Sequence, residues 1–131
     1  DLEHENAGSR VLPAAQKLAI DNGAGIALVH VMPTIPGFIA KDVPAGYERR
    51  VAEDTKLELK ALAENYNVPG DVQIHVAQGG VYPKIIECAS EIKADAILLS
   101  SHRPGLSYYL LGSNAARVVR HSKCSVIVLR D

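Results

Sequence analysis

No stretch of Lys and Arg in this chain is dense enough to follow a phosphate backbone. Its 14 basic and 15 acidic residues are scattered, giving a formal net charge of −1, which argues against nucleic acid as a partner. No apolar run reaches the ~18 residues that a membrane-spanning helix needs, and no signal-peptide pattern opens the chain. Only two cysteines occur, Cys88 and Cys124. They lack metal-type spacing and sit in apolar segments, so both read as plain core thiols of a protein in the reducing cytoplasm. There is no Gly-rich loop ending in Lys of the kind that drives strong nucleotide hydrolysis. His4-Glu5-Asn6 lacks the second His that a zinc-binding helix would place one turn on. Gly23-Ala24-Gly25 precedes a strand instead of following one, so it is no dinucleotide fingerprint.

What is present is an alternation of helical and strand patterns in 131 residues, enough for one domain with a proper core. Residues 6–21 predict a helix with Val11, Ala14, Ala15, Leu18 and Ala19 as its apolar stripe. Ile26 to Val31 is a short apolar run between turn signals, the pattern of a buried parallel strand. Residues 32–46 hold three prolines and two glycines and read as an irregular connection. A charged helix is predicted from Tyr47 to Asn65, with Val51, Leu59 and Leu62 inward and its Glu and Lys side chains solvated. Val72 to Val76 alternates, as a strand at an edge would. Gly79-Gly80 either simply turns the chain or lies on a ligand edge. It leads to a helix over 82–93, with Pro83 in its first turn and Ile85, Ile86, Ala89 and Ile92 inward. A buried strand over 94–99, a helix over 114–122 with Ala115, Val118 and Val119 inward, and a last strand Val126–Leu129 complete the order. Such alternation predicts an α/β fold, an open parallel sheet with helices on both faces. The first helix has no strand before it, and a strand of about five or six residues is expected ahead of Asp1.

The segment Ala94 to Asn114 carries the functional signal. A strand empties into Ser100-Ser101-His102-Arg103-Pro104, and Gly112-Ser113-Asn114 then opens a helix. Small residues at a strand end followed by a helix N-terminus form a cradle for phosphate, because free N–H groups and the positive end of the helix dipole converge there. The local alternative is that Gly112-Ser113-Asn114 is only a helix cap. His102 is either a ligand contact or a turn residue. His30 and His75 read as structural. In doubly wound sheets ligands gather beyond the strand C-termini, where Asp1, Val31, Gly79-Gly80 and Ser100 are all predicted to fall.

Ile97-Leu98-Leu99-Ser100-Ser101-His102-Arg103, Leu110-Leu111-Gly112-Ser113-Asn114-Ala115-Ala116-Arg117-Val118-Val119 and Cys124-Ser125-Val126-Ile127-Val128 together resemble the C-terminal half of universal stress proteins. Ser101 to Pro104 and Tyr109 to Asn114 resemble the bacterial F/G subtype. The resemblance extends over essentially the whole chain. It implies five parallel strands in the order 3-2-1-4-5, with the first strand ending at Asp1, and it implies ATP binding, with Mg²⁺ as counter-ion. Carried onto this sequence, it places Asp1 at the adenine or ribose and Val31 against the adenine. Leu99, Ser100 and His102 would line the nucleotide, and Gly112, Ser113, Asn114 and Ala115 would bind phosphate oxygens. The family's ATP motif has glycines where Ser100 and Arg103 stand, and the spacer to Gly112 is one residue short of it. Ser100 is small and adds a donor; Arg103 could fork onto a phosphate or pair with a partner subunit. The resemblance also implies a homodimer through the last strand and, in this subtype, a tetramer. No residue is predicted to be catalytic. With no carboxylate or His poised to activate water, hydrolysis would be slow at most, and the output would be a conformational change set by occupancy. Tyr108, Tyr109 and residues 32–46 are the expected movable parts. The competing expectation is a nucleotide-free assembly module of the same fold.

Overall fold

The computed structural model describes residues 8–68, 70–101 and 111–130. Within them the order is α1 (Val11–Asn22), β1 (Ala27–Met32), α2 (Gly37–Ala40), α3 (Tyr47–Asn65), β2 (Gln73–Gln78), α4 (Val81–Glu91), β3 (Ala96–Ser101), α5 (Ser113–His121) and β4 (Ser125–Arg130). Gly23 ends α1: its φ of 61° is a left-handed conformation that costs a glycine little, and it turns the chain toward β1. α3 has the predicted bounds. Its buried residues Thr55, Leu59 and Ala63 recur every four positions, while the outward side carries exposed pairs such as Arg49–Glu53 at 3.5 Å.

β1 pairs in parallel with β2, from Ala27 opposite Gln73 to Met32 opposite Gln78. β3 pairs in parallel with β4, from Ala96 opposite Ser125 to Ser101 opposite Arg130. α3 and α4 pack on the first pair, α1 on β3, α5 on β3 and β4, and α4 against α5. The expected single sheet in the order 3-2-1-4-5 is therefore corrected to four strands in two two-stranded sheets. Both flanking pairings of that order are present. The continuous sheet is not, because no hydrogen-bonded ladder joins β1 to β3 among the described residues. β1, expected to be buried, is only half-buried along its length, and among the described residues it pairs with β2 alone.

The core is built from Leu12, Ala19, Leu59, Ala63, Cys88, Ile97, Ala115 and Val118, with Val118 fully buried. Ala19, Ala115 and Val118 are buried as predicted, but one member of each of two predicted stripes is not. Leu18 is 39 % exposed and Leu12 is the buried leucine of α1; Val119 is 46 % exposed where Val118 is sealed. The short contact faces of these helices admit one large side chain where the sequence pattern offers two. Gln16 donates from its side chain to the Asn67 carbonyl at 2.9 Å, tying α1 to the end of α3, and Arg10 donates to the Arg130 carbonyl at 2.8 Å. Between α4 and α5, the Tyr82 and His121 rings stack at 5.6 Å and the Arg117 guanidinium lies 5.4 Å from the Tyr82 ring centre.

Cys88 is a core thiol as expected. Burial pushes its thiol up from the ordinary value, and Glu91 and Glu87 push in the same direction. The nucleophile is the thiolate, so Cys88 is expected to react with iodoacetamide at neutral pH at least about tenfold more slowly than Cys124 in the folded chain, and at a similar rate once unfolded. Peptide mass spectrometry after timed alkylation measures this; faster labelling of Cys88 would mean that the α4 face opens.

Candidate functional site

The C-terminal end of β3 and the N-terminus of α5 are held together by one hydrogen bond. The Gly112 N–H donates to Ser101 Oγ at 2.9 Å, across eleven positions of sequence. Gly112 is the N-cap of α5, with φ −54° and ψ 149°, and no side chain caps the helix. The first N–H used inside the helix is that of Ala116, which reaches the Gly112 carbonyl at 2.9 Å. The amides of Ser113, Asn114 and Ala115 thus remain as donors at the positive end of the helix dipole. Ser113 and Asn114 are exposed and Ala115 is buried, so the mouth of the helix faces solvent while its base is anchored in the core. At the other end, Arg120 and His121 lie in the last turn, where cations complement the dipole. A group of three N–H donors with small side chains around it can take an anion, and phosphate is the fitting size and charge.

Gly112, Ser113, Asn114 and Ala115 are contiguous here, as the sequence predicts. Leu99 and Ser100 belong to β3, opposite Val128 and Leu129. Strand alternation sends Ser100 and Ser101 to opposite faces, and it is Ser101, absent from the predicted set, whose hydroxyl reaches Gly112. The signal that could have found it is that parity, counted from buried Ile97 through Leu99 to Ser101. Val31 lies near the end of β1 opposite Ala77, in the other strand pair, and no hydrogen bond links it to the Ser101–Gly112 group. Asp1, His102, Arg103, Tyr108 and Tyr109 lie outside the described residues. Gly79 has φ 134° and continues the ladder by donating to the Met32 carbonyl at 3.0 Å, which is the local turning role. His75 contacts the Gln73 side chain at 3.2 Å, in line with a structural role. Among the described residues no group of three His, Cys, Asp or Glu could hold a metal ion, and no helix is long and apolar enough to cross a membrane.

Residues 3–130 match the model of the universal stress protein family. The chain belongs to the universal stress protein family. This universal stress protein is 33 % identical over 121 residues to universal stress protein G of Shigella flexneri, covering 88 % of this chain and 84 % of that relative. Its fold is similar to that of a universal stress protein solved in complex with cAMP, with a TM-score of 0.65 at 23 % identity over 92 % of this chain and 86 % of that one. It is also similar to the universal stress protein of Archaeoglobus fulgidus in complex with dAMP, with a TM-score of 0.62 at 21 % identity over 96 % of this chain and 89 % of that one. The α/β architecture of helices and parallel strands is thus the architecture of the family.

Proposed function

We propose that this universal stress protein is a cytoplasmic, adenine-nucleotide-binding regulator of the stress response that binds ATP. The observation that carries the reading is the uncapped N-terminus of α5, pinned beside β3 by the Ser101–Gly112 bond with three amides left to donate. The complexes of two structural relatives with cAMP and dAMP support an adenine nucleotide as the ligand. In this assignment the amides of Gly112's successors Ser113, Asn114 and Ala115 take the phosphate oxygens, while Gly112 keeps the backbone approach open. Leu99 and Ser100 line the nucleotide with His102; Val31 and Asp1 face the adenine and ribose; Arg103 adds positive charge to the triphosphate. Mg²⁺ would accompany ATP as a phosphate-bound counter-ion, with the Ser113 hydroxyl and the Asn114 amide oxygen as the nearby neutral ligands. It would screen phosphate charge. Turnover is at most slow in this assignment, because the Ser101–Gly112 group itself contains neither carboxylate nor imidazole to activate water.

A second reading is an assembly module whose nucleotide site has decayed. It is favoured by β4, which pairs on one edge only among the described residues and leaves Ile127 36 % exposed. A homodimer would form through that edge, and a tetramer by pairing of dimers. Denaturing freshly purified protein and identifying the released small molecules, followed by calorimetric titration with MgATP, separates the two. About one adenine nucleotide per chain, or saturable MgATP binding to the emptied protein, is expected. Empty protein that ignores added MgATP yet sediments as a dimer would overturn the first reading in favour of the second.

A further inference from the structure

A cavity of about 360 Å³ lies between α3 and the C-terminal ends of β1 and β2. Its lining includes neither Ser101 nor any of Gly112–Ala115. His30 and Met32 alternate along β1 and so share one face, and Gln78 is the ladder partner of Met32. From α3, Tyr47, Val51, Thr55 and Glu58 follow one another at spacings of four, four and three residues, a single helical stripe turned toward those strand ends. The volume falls in the range of about 300–1,000 Å³ that small-molecule sites occupy.

Two observations define what it would hold. Thr55 is the buried polar residue among the described ones, 8 % exposed, and it lines this cavity. No hydrogen bond to its hydroxyl is found within the described residues, and no sealed polar atom is left unsatisfied, so the hydroxyl is open to the cavity. A nearly buried hydroxyl of this kind takes a hydrogen-bonding partner from the cavity, water or a ligand atom that displaces it. The second observation is charge. Among the described residues Glu48 and Glu58 line the cavity and no Lys or Arg does. A phosphate would be repelled there and a cation drawn in. Tyr47 adds an aromatic ring and Met32 an adaptable thioether, surfaces suited to an apolar body and to an ammonium group.

We propose that this cavity is a second ligand site, for a small protonated amine carrying an apolar body. The ammonium group pairs with Glu58, which is one turn from Thr55 on α3; the Thr55 hydroxyl and the Gln78 side chain orient it, Glu48 adds negative charge at the other end, and Met32 and Tyr47 cover the apolar part.

The test is a titration of the ¹⁵N-labelled full chain with phenethylamine, with phenylacetate as the probe of the same shape and opposite charge. Saturable amide shifts centred on His30, Thr55 and Gln78 are expected with phenethylamine and none with phenylacetate at the same concentration. Thr55→Val, which keeps the shape and removes the hydroxyl, and Glu58→Gln, at an exposed position, should each weaken phenethylamine binding by about fivefold or more. Equal shifts with both probes, shifts that never saturate, or undiminished phenethylamine affinity in both variants would overturn the proposal. These readouts do not depend on whether nucleotide binds at α5.

Discussion

Gly112→Asp is expected to weaken MgATP binding by about 100-fold while raising the stability of the nucleotide-free protein. The two effects have opposite signs because one side chain meets two demands at the same place. At φ −54° and ψ 149° the backbone of Gly112 accepts any L-residue, and a Cβ there would lie 3.7 Å from Ser101 Oγ, an ordinary contact. A carboxylate at this N-cap would accept from the free amides of Asn114 or Ala115 and sit at the positive end of the α5 dipole. Together with the reduced freedom of the unfolded chain, that is worth about 1 kcal/mol of stability. The same carboxylate would occupy the donors proposed for the phosphate and repel it, a penalty of about 3 kcal/mol, or about 100-fold in affinity. Calorimetry with MgATP and thermal unfolding without ligand measure the pair. Unchanged ATP affinity in a stabilised variant would remove the phosphate from the mouth of α5. Lost affinity together with lost stability would show only that the helix had been damaged.

Leu12→Ala is expected to cost about 3 kcal/mol of folding stability, enough to lower the melting temperature by about 10 °C. Leu12 is 2 % exposed and is the large buried side chain of α1. A Cβ on Gly8 would fall 2.7 Å from its Cδ1 and 3.3 Å from Leu62 Cδ2, so the backbone at Gly8 rests directly on the contact between α1 and α3. At φ 76°, Gly8 is also held in a conformation that other residues adopt poorly. A cavity left there has tight backbone on one side and α3 on the other, and neither can collapse readily into it. Leu18→Ala on the same helix, at 39 % exposure, should cost less than about 1 kcal/mol. Chemical denaturation of the two variants side by side checks the contrast, and equal losses would contradict the assignment of the buried face.

The periodicity of the chain was enough to locate its long elements. The predicted bounds of Tyr47–Asn65 match α3 to the residue, because nineteen positions of amphipathic pattern average out local ambiguity and Asn65 precedes clear turn residues. α2, four residues inside the proline-rich connection, has too few positions to show any period. Which of two neighbouring apolar residues faces inward depends on the rotation of each helix against its sheet, and that is set by tertiary packing. Leu12 in place of Leu18, and the exposure of Val119 beside the correctly placed Val118, were therefore illegible. At the candidate site, the Gly112–Ala115 stretch could be read from composition and order alone. Ser101 could not, because its role depends on a hydrogen bond to a residue eleven positions away. The pairings of β1 with β2 and of β3 with β4 were not legible from the alternation alone, since each crossover, that between β2 and β3 included, holds a helix; they agree with the strand order that the family resemblance implies.

The Ser101–Gly112 bond ties the end of β3 to the start of α5 through groups that do not belong to the sequence joining them. That makes the stretch an interchangeable cassette. A designer could replace it with one of different length or charge, carrying other side chains in place of His102 and Arg103, and the register of β3 and the aim of α5 would be inherited unchanged from the clasp. The amides that open α5 would keep their place while the joining sequence is rewritten.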